Sequence, residues 1–239
     1  QPFLAKVDKS QYTKWSLFGL HLALNESPRF AAEKFDPNIN RAQKWSIGAE
    51  TMDDLFSAHE DTKAGRVPKV IQFGAGPLSL LDPTQAPPGK ATTYAWHVMP
   101  LNPDIGGQDY ESFKEEFSDK IIETWAKVCP NMTDKNVLAR YVYTGREYTQ
   151  EMINMREGDI FMGAFNADQV MYNHFGYKTP IPNLYCAGSS GHPGGAISGG
   201  AGYITAGIIA KELGVPLWWT PWNAREALDA HIKNNKGAA

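Results

Sequence analysis

A loop dense in glycine, residues 188–200 with the sequence GSSGHPGGAISGG, is the segment of this chain best suited to holding a ligand. Glycine has no Cβ, so a bound molecule can approach its backbone closely. The loop follows the apolar run LYCA at 184–187 and precedes AGYITAGIIAKEL at 201–213, which ends at Gly214 as a helix does. N–H groups and the dipole at a helix start favour a phosphate or a developing negative charge. The order of strand, glycine loop and buried helix predicts half of a βαβ-type nucleotide site; a tightly packed loop is the structural alternative.

A second glycine pair, Gly74-Ala75-Gly76, does not predict a dinucleotide site. The third glycine of G-x-G-x-x-G is missing, Pro77 follows at once, and LSLLDPTQAPPG cannot form the required helix. The sequence therefore contains no first pyrophosphate loop.

Histidine and cysteine spacing does not predict a metal site, and no G-x-S-x-G, H-E-x-x-H or C-x-x-C motif is present. His192 lies inside the glycine loop and is the one candidate catalytic residue, with ordering of the loop as its alternative role. His21 and His97 fall in predicted strands, where we expect hydrogen-bonded structural histidines. Cys129 and Cys186 are too few for a disulfide framework.

Composition predicts a globular protein with no electrostatic preference for nucleic acid, since 42% of its 239 residues are hydrophobic and its formal net charge is −3. No run approaches the roughly 18 apolar residues of a membrane span. The first twenty residues are too polar for a signal peptide, so a cytoplasmic location is expected. A start at Gln1 without Met predicts a processed or trimmed chain.

Aromatic residues cluster near the end of the sequence in PLWWTPW, which contains Trp218, Trp219 and Trp222. Core packing or a subunit interface is the favoured interpretation of this cluster. Contact with a membrane surface through interfacial tryptophans is the alternative.

Periodicity predicts strands at 15–24, 67–73 and 91–101, and another in NVLARYVYT. ESFKEEFSDKIIETWAKV predicts an amphipathic helix, because its large apolar residues recur every three or four positions. These residues are Phe113, Phe117, Ile121, Trp125 and Val128. Thr144 and Glu147 have capping-box spacing and predict a helix that ends near Asn154.

Three long stretches of the sequence carry a family resemblance. LYCAGSSGHPGGAISGGAGYITAGIIAKELG is similar to the pattern LYLCG-x-x-x-HPGGG-x-x-G-x-x-G, and SLLDPTQAPPGKATTYAW resembles S-x-x-DPT-x-APPGKH. GDIFMGAFNADQVMYNHFGYKTPIPNLY resembles G-x-I-x-H-G-x-x-x-x-DQ followed by YRTPI-x-GLY. Together these patterns resemble the carboxyl-terminal half of phytoene-desaturase-like FAD oxidoreductases of the amine-oxidase superfamily. Order and spacing agree over residues 65–215.

The resemblance implies that FAD lies between an amino-terminal Rossmann half and the glycine loop. It places Gly188 and Ser189 by the FAD phosphate and ribityl chain. It places the backbone of six residues along the isoalloxazine: His192, Pro193, Gly194, Gly195, Ala196 and Ile197. Gly199 and Gly200 would begin the helix that faces the flavin pyrimidine ring. Two positions depart from the family: Ser189 stands where many members have an acid, and Ala196 replaces the last glycine of HPGGG.

The expected fold is α/β, with a substrate-type region of α+β mixed sheet and helices over 1–157. Residues 158–239 would form the carboxyl-terminal part of a Rossmann-like FAD domain and a tail helix. The resemblance implies an oxidoreductase that oxidises a small, largely apolar organic substrate by hydride transfer to flavin. A complementary amino-terminal FAD-binding chain would complete it, unless that half has been removed. A non-catalytic binding or scaffolding subunit that retains the fold is the alternative.

Overall fold

The computed structural model describes residues 2–170, 173–194, 199–221 and 223–235. Internal contacts divide the chain into two compact units, residues 1–170 and 171–239. The division expected after residue 157 on sequence grounds stays a prediction. Each unit is described by itself.

The first unit is built on a five-stranded sheet. Its strands are β1 Trp15–Leu24, β2 Trp45–Ile47, β3 Phe73–Gly76, β4 Ala91–Pro100 and β5 Val137–Tyr143. Their order is β2-β3-β4-β1-β5, and every pairing is antiparallel. The α/β class is confirmed, and the predicted mixed sheet is corrected to an antiparallel one. β4 and β5 run parallel to each other, but they do not pair because β1 lies between them. Every neighbouring pair in the sheet is therefore antiparallel.

Seven α-helices are present among the described residues. The first unit contains α1 Pro2–Asp8, α2 Met52–Lys63, α3 Leu78–Leu81, α4 Tyr110–Ala126 and α5 Gly145–Glu151, and the second contains α6 Gly200–Leu213 and α7 Ala224–Asn235. Short 3₁₀ turns occupy Ala31–Lys34, Pro37–Arg41, Pro83–Gln85 and Arg156–Gly158. The capping box predicted at Thr144 and Glu147 opens α5. No helix in these described ranges is long and apolar enough to cross a membrane.

Helix α4 covers one face of the sheet and supplies much of the core. Phe113, Phe117, Ile121 and Trp125 are all buried, as the periodicity predicts. The Phe117 ring packs edge-on to Phe18 of β1 with centroids 4.9 Å apart. Burial of side chains of this size stabilises the fold by about 1.5–3 kcal/mol each. Val128 lies beyond the helix end and is 37% exposed, so the predicted apolar face ends at Trp125.

The opposite face of the sheet is rich in aromatic residues. Strand alternation and register place Tyr94 opposite His21, with Tyr141 on the other side of His21. Two residues before His21 on β1, Gly19 lies between Trp96 of β4 and Tyr143 of β5. Trp96 is 39% exposed and Tyr141 is 60% exposed. We call these five side chains, Tyr94, Trp96, His21, Tyr141 and Tyr143, the aromatic face.

Residues 67–73 do not form the predicted strand, since β3 begins at Phe73. Pro68 lacks a backbone N–H and so weakens any sheet pairing upstream. The glycine pair rejected as a dinucleotide site lies within β3, where Ala75 pairs with Trp45 of β2 and Ala95 of β4. This pairing agrees with the exclusion of a phosphate loop there.

The second unit contains the tail helix, α7, and part of the aromatic cluster. Trp218 is 91% exposed, and its ring contacts Trp219 with centroids 5.4 Å apart. Core packing of Trp218 within this unit is therefore excluded, whereas a subunit interface stays a prediction. Trp222 lies outside the described residues.

Candidate functional site

The glycine loop is described on both sides of a gap. Gly188, Ser189, His192, Pro193 and Gly194 lie before the gap. Gly199 and Gly200 lie after it, at the start of α6. Three of the predicted site residues, Gly195, Ala196 and Ile197, lie outside the described residues.

Two consecutive backbone turns shape the first part of the loop. The N–H of Gly191 donates to the carbonyl of Gly188 at 2.9 Å, and the N–H of Gly194 donates to the carbonyl of Gly191 at 2.7 Å. Gly191 is buried against α6, since a Cβ on it would lie 3.3 Å from the Cβ of Ala201. Gly188 is exposed, and a Cβ on it would meet no heavy atom within 4 Å. One glycine therefore packs the loop on the helix, and another leaves the backbone open.

A hydroxyl group holds the middle of the loop. The phenol of Tyr177 donates to the backbone carbonyl of His192 at 2.9 Å. The peptide bond between His192 and Pro193 is cis. The His192 side chain is exposed, so the contact that fixes this residue uses its backbone.

The segment before the loop is not the predicted strand. LYCA forms an isolated bridge between Lys178 and Tyr185, and the N–H of Cys186 donates to the carbonyl of Tyr177 at 2.8 Å. The carbonyl of Leu184 also accepts from the N–H of Thr179 at 3.3 Å. Pro180 and Pro182 shorten the segment with which LYCA could pair. The local βαβ half-unit is therefore corrected to a short bridge, a loop and a helix.

Helix α6 contacts the bridged segment near both of its ends. Near its start, the Thr205 hydroxyl donates to the carbonyl of Cys186 at 2.8 Å. Near its end, Glu212 accepts from the Tyr185 phenol at 2.5 Å and pairs with the ammonium of Lys178. These contacts set the direction of the helix relative to the loop.

The start of α6 is suited to a partner with negative charge. The N-cap, Gly199, has φ 66° and supplies no side-chain cap, and the first intrahelical bond runs from the N–H of Tyr203 to its carbonyl. The amides before that bond lie at the positive end of the helix dipole. A Cβ on Gly199 would meet nothing within 4 Å. Backbone donors at an accessible helix start are typical of anion and carbonyl binding.

The sequence of α6 is more apolar than its surroundings in the second unit. Only Ala201 and Thr205 among its fourteen residues are buried. Leu213 is 66% exposed, and Tyr203 is 48% exposed. A helix that is apolar on most sides is normally covered on most sides. The residues described in the second unit do not supply that cover.

Among the other histidines, His97 agrees with its predicted structural role. Its Nδ1 lies 2.6 Å from the carbonyl oxygen of Gln72, and its side chain is 1% exposed. Within the described ranges, no group of three or more His, Cys, Asp or Glu side chains could hold a metal ion. Burial raises the pKa of the Cys129 thiol to about 12, which makes it a poor nucleophile at neutral pH.

One feature of the first unit had no counterpart among the predicted site residues. A cavity of about 980 Å³ lies beside α2 and includes His97 in its wall. Leu55 lines this cavity and belongs to an exposed apolar stripe of α2, in which Leu55 and Phe56 follow Met52 by three and four residues.

Over most of its length the chain is similar to proteins named as oxidoreductases. It is 31% identical over 214 residues to a limonene dehydrogenase subunit of Castellaniella defragrans, covering 86% of this chain and 38% of the relative. It is 30% identical over 204 residues to pyridine nucleotide-disulfide oxidoreductase domain-containing protein 2 of Mus musculus, covering 81% of this chain and 35% of that relative. The chain thus spans little more than a third of these relatives. No family model matches it. The chain is therefore homologous to proteins named as oxidoreductases, one of them a dehydrogenase subunit.

Proposed function

We propose that this chain is the carboxyl-terminal part of an FAD-dependent oxidoreductase of the phytoene-desaturase-like type. In this proposal the chain oxidises a small, largely apolar substrate together with a complementary amino-terminal FAD-binding half, supplied by another chain or removed from this one. The observation that carries the proposal is the start of α6. It combines a glycine N-cap, an accessible backbone and no side-chain cap at the point where the resemblance requires the flavin ring.

The described residues fit such a cofactor at the level of the backbone. Gly188 and Gly199 leave space where a side chain would block a close approach. Ser189 follows Gly188 in the sequence and is half-buried. Its hydroxyl is suited to a phosphate or ribityl oxygen. Gly191 holds the loop on α6, and Tyr177 fixes the carbonyl of His192. The described part of the loop, residues 188–194, is therefore held by contacts within this chain.

FAD, when bound, supplies the acceptor for the hydride that leaves the substrate. In this proposal the chain binds and orients the flavin and polarises the group beside the start of α6. The positive end of α6 favours negative charge on a group beside it, and a preformed dipole does so without reorganisation.

A complementary partner is supported by the uncovered apolar surface of α6. Obligate interfaces typically bury more than about 2,000 Å², and they are more apolar than transient ones. Leu213 and Val215 of the second unit are 66% and 54% exposed, and Trp218 is 91% exposed. These side chains are suited to the centre of such an interface.

The proposal is tested on the protein purified from its source without added flavin. We expect a complex larger than this chain, with the absorption spectrum of bound flavin, whose intact masses and amino-terminal sequences identify the complementary half. A complex that contains this chain but no flavin would favour the scaffolding alternative. A soluble monomer of this chain that binds FAD stoichiometrically would refute the need for a complementary half.

A further inference from the structure

The cavity of about 980 Å³ in the first unit lies along a part of β4 that β3 does not reach. Strand β3 pairs with β4 only as far as His97, so Val98 and Pro100 have no strand on that side among the described residues. Helix α2 and the start of β1 supply other walls of the cavity. Pockets of roughly 300–1,000 Å³ with mainly apolar walls and a few polar groups are typical of small-molecule sites. The size of this cavity therefore suits a small organic ligand.

Helix α2 turns one side towards the cavity, and that side changes in character along the helix. The residues of α2 that line the cavity are spaced three or four positions apart and are Leu55, Ala58, His59, Thr62 and Lys63. Lys63 follows Leu55 by about two turns, roughly 12 Å along the axis. The wall is thus apolar towards the amino end of α2 and basic at its carboxyl end.

A second lysine borders the same end of the cavity. The N–H of Leu101 donates to the carbonyl of Lys14 at 3.1 Å. The N–H of Asp104 donates to the carbonyl of Gly65, shortly after α2, at 2.9 Å. The short segment between these two donors therefore joins the backbone of Lys14 to the carboxyl end of α2. Since Lys14 and Lys63 both line the cavity, we call this part of it the basic end.

Several other polar side chains of the lining are already engaged or buried. Thr13 and Thr62 each donate to a backbone carbonyl, at 3.0 and 2.9 Å. His97 is 1% exposed, and its ring packs against Phe117 in the core. These three side chains are therefore not available as donors to a ligand. Among the donors that remain are the two ammonium groups of the basic end and the amide of Asn102.

The charges of the lining favour a ligand with a single negative charge. Lys14 makes no ion pair within the described ranges. Lys63 lies 4.0 Å from Glu60, and this contact is weak because both side chains are largely exposed. Glu157 is the carboxylate that lines the cavity, and it opposes an anion. Two ammonium groups against one carboxylate leave one positive charge in excess, apart from the titratable His59.

We propose that this cavity binds a monocarboxylate with an elongated apolar body, whose carboxylate pairs with Lys14 and Lys63 at the basic end. The apolar body lies along α2 towards Leu55. An ammonium head would meet two like charges, and a neutral head would forgo the attraction of the excess positive charge. A dianionic head would be repelled more strongly by Glu157. The site lies in the first unit alone and needs no flavin, so it is separate from the proposed oxidoreductase function.

The test uses three molecules with the same alkyl chain and different heads, which are octanoate, octan-1-ol and octylammonium. Each is titrated into the chain at neutral pH and followed by isothermal titration calorimetry. We expect octanoate to bind once per chain and about fivefold more tightly than octan-1-ol, since partly exposed ion pairs contribute modestly. Octylammonium should bind more weakly than octan-1-ol. Raising the salt concentration should narrow the difference between octanoate and octan-1-ol.

Substitutions in the lining separate the charge from the apolar wall. Lys14→Gln and Lys63→Gln should each weaken octanoate by about twofold and leave octan-1-ol unchanged, because they remove charge and keep most of the wall. Lys120→Gln is the matched control, since Lys120 is exposed on α4 and does not line the cavity. Ala58→Phe should weaken both ligands because it fills the cavity. Ser57→Phe, one position earlier on α2 and outside the lining, should weaken neither.

Equal affinities for octanoate and octan-1-ol in the unaltered chain would overturn the proposal. Tighter binding of octylammonium than of octanoate, or no saturable binding of octanoate, would do so as well. So would octanoate binding that is unchanged in both lysine variants or in Ala58→Phe. The comparison of the three ligands uses the unaltered chain, so it does not depend on the folding of any variant. Because no flavin takes part, these outcomes leave the oxidoreductase proposal untouched.

Discussion

The hydroxyl of Thr205 donates to the backbone carbonyl of Cys186 at 2.8 Å, and the Thr205 side chain is 2% exposed. This bond joins the second turn of α6 to the segment that leads into the glycine loop. It thereby fixes the helix start relative to Gly188 without using a residue of the loop itself.

Thr205→Val should loosen the loop while preserving side-chain shape. It leaves the carbonyl of the half-buried Cys186 without its hydroxyl donor, which costs about 1–2 kcal/mol. Urea unfolding should show a lower midpoint, and the flavin complex should release FAD more readily. Thr220→Val is the control, because Thr220 is exposed and outside the helix. Equal midpoints for the two variants would contradict the anchoring role.

Gly188→Val should separate cofactor binding from folding. The added side chain meets nothing within 4 Å in this chain, so the melting temperature should change little. The same side chain occupies the open side of the backbone, so FAD should be lost on desalting. Absorbance of bound flavin and circular dichroism measure the two effects.

Gly207→Val provides the comparison for that experiment, since a Cβ there also meets nothing within 4 Å but lies in the middle of α6. We expect this variant to retain flavin. Full flavin retention by Gly188→Val would remove Gly188 from the proposed site. The variant Gly199→Val should lose stability as well as flavin, because its φ of 66° disfavours a β-branched residue.

Stability should fall on acidification because of His97. Burial lowers its pKa to about 4 in the folded state, against 6.5 for the ordinary side chain. Below pH 6.5 the unfolded chain therefore takes up a proton that the folded chain refuses. Stability is fully present above pH 6.5 and is lost towards pH 4, by up to about 3 kcal/mol.

Urea unfolding at half-unit intervals of pH tests this expectation. His97→Gln should flatten the free energy of unfolding between pH 6.5 and 4, whatever its effect on the absolute value. His59→Gln changes an exposed histidine and should leave the slope intact. A slope that persists in His97→Gln would assign the acid sensitivity to other groups.

Tyr177 and His192 should differ in what their substitution does to the flavin complex. Tyr177→Phe removes the donor to the carbonyl of His192 and should weaken flavin binding by roughly tenfold. His192→Gln retains that carbonyl, so reduction of the bound flavin by substrate should remain near normal. Stopped-flow reduction at several pH values measures this. Retained flavin with reduction slowed by roughly 10² or more would instead make His192 a catalytic residue.

The elements that sequence reasoning located were those with strong local signals. Helix α4 follows from the spacing of Phe113, Phe117, Ile121 and Trp125, and α5 follows from its capping box. Helix α6 ends at Gly214, which has φ 65° and caps it as predicted. In each case the signal lies within a single helix and its ends.

The predictions that were wrong concerned segments whose structure depends on residues distant in the sequence. LYCA has the composition of a strand, but its extended structure ends at one bridge because no neighbouring strand is present among the described residues. Strand β3 is FGAG rather than VPKVIQF, because pairing with β2 and β4 selects its position. The cavity was missed for the same reason, since Trp15, Leu55 and His97 meet only in the folded first unit.

The position of β1 imposes an order on biosynthesis. β1 precedes the other strands of its sheet, yet its partners are β4 at 91–100 and β5 at 137–143. Phe18, Leu20, Leu22 and Leu24, all buried in the finished sheet, therefore leave the ribosome long before any strand can shelter them. Closing so long a loop is entropically slow. The nascent chain thus carries an unshielded hydrophobic segment until β4 and helix α4, which packs on Phe18, have emerged.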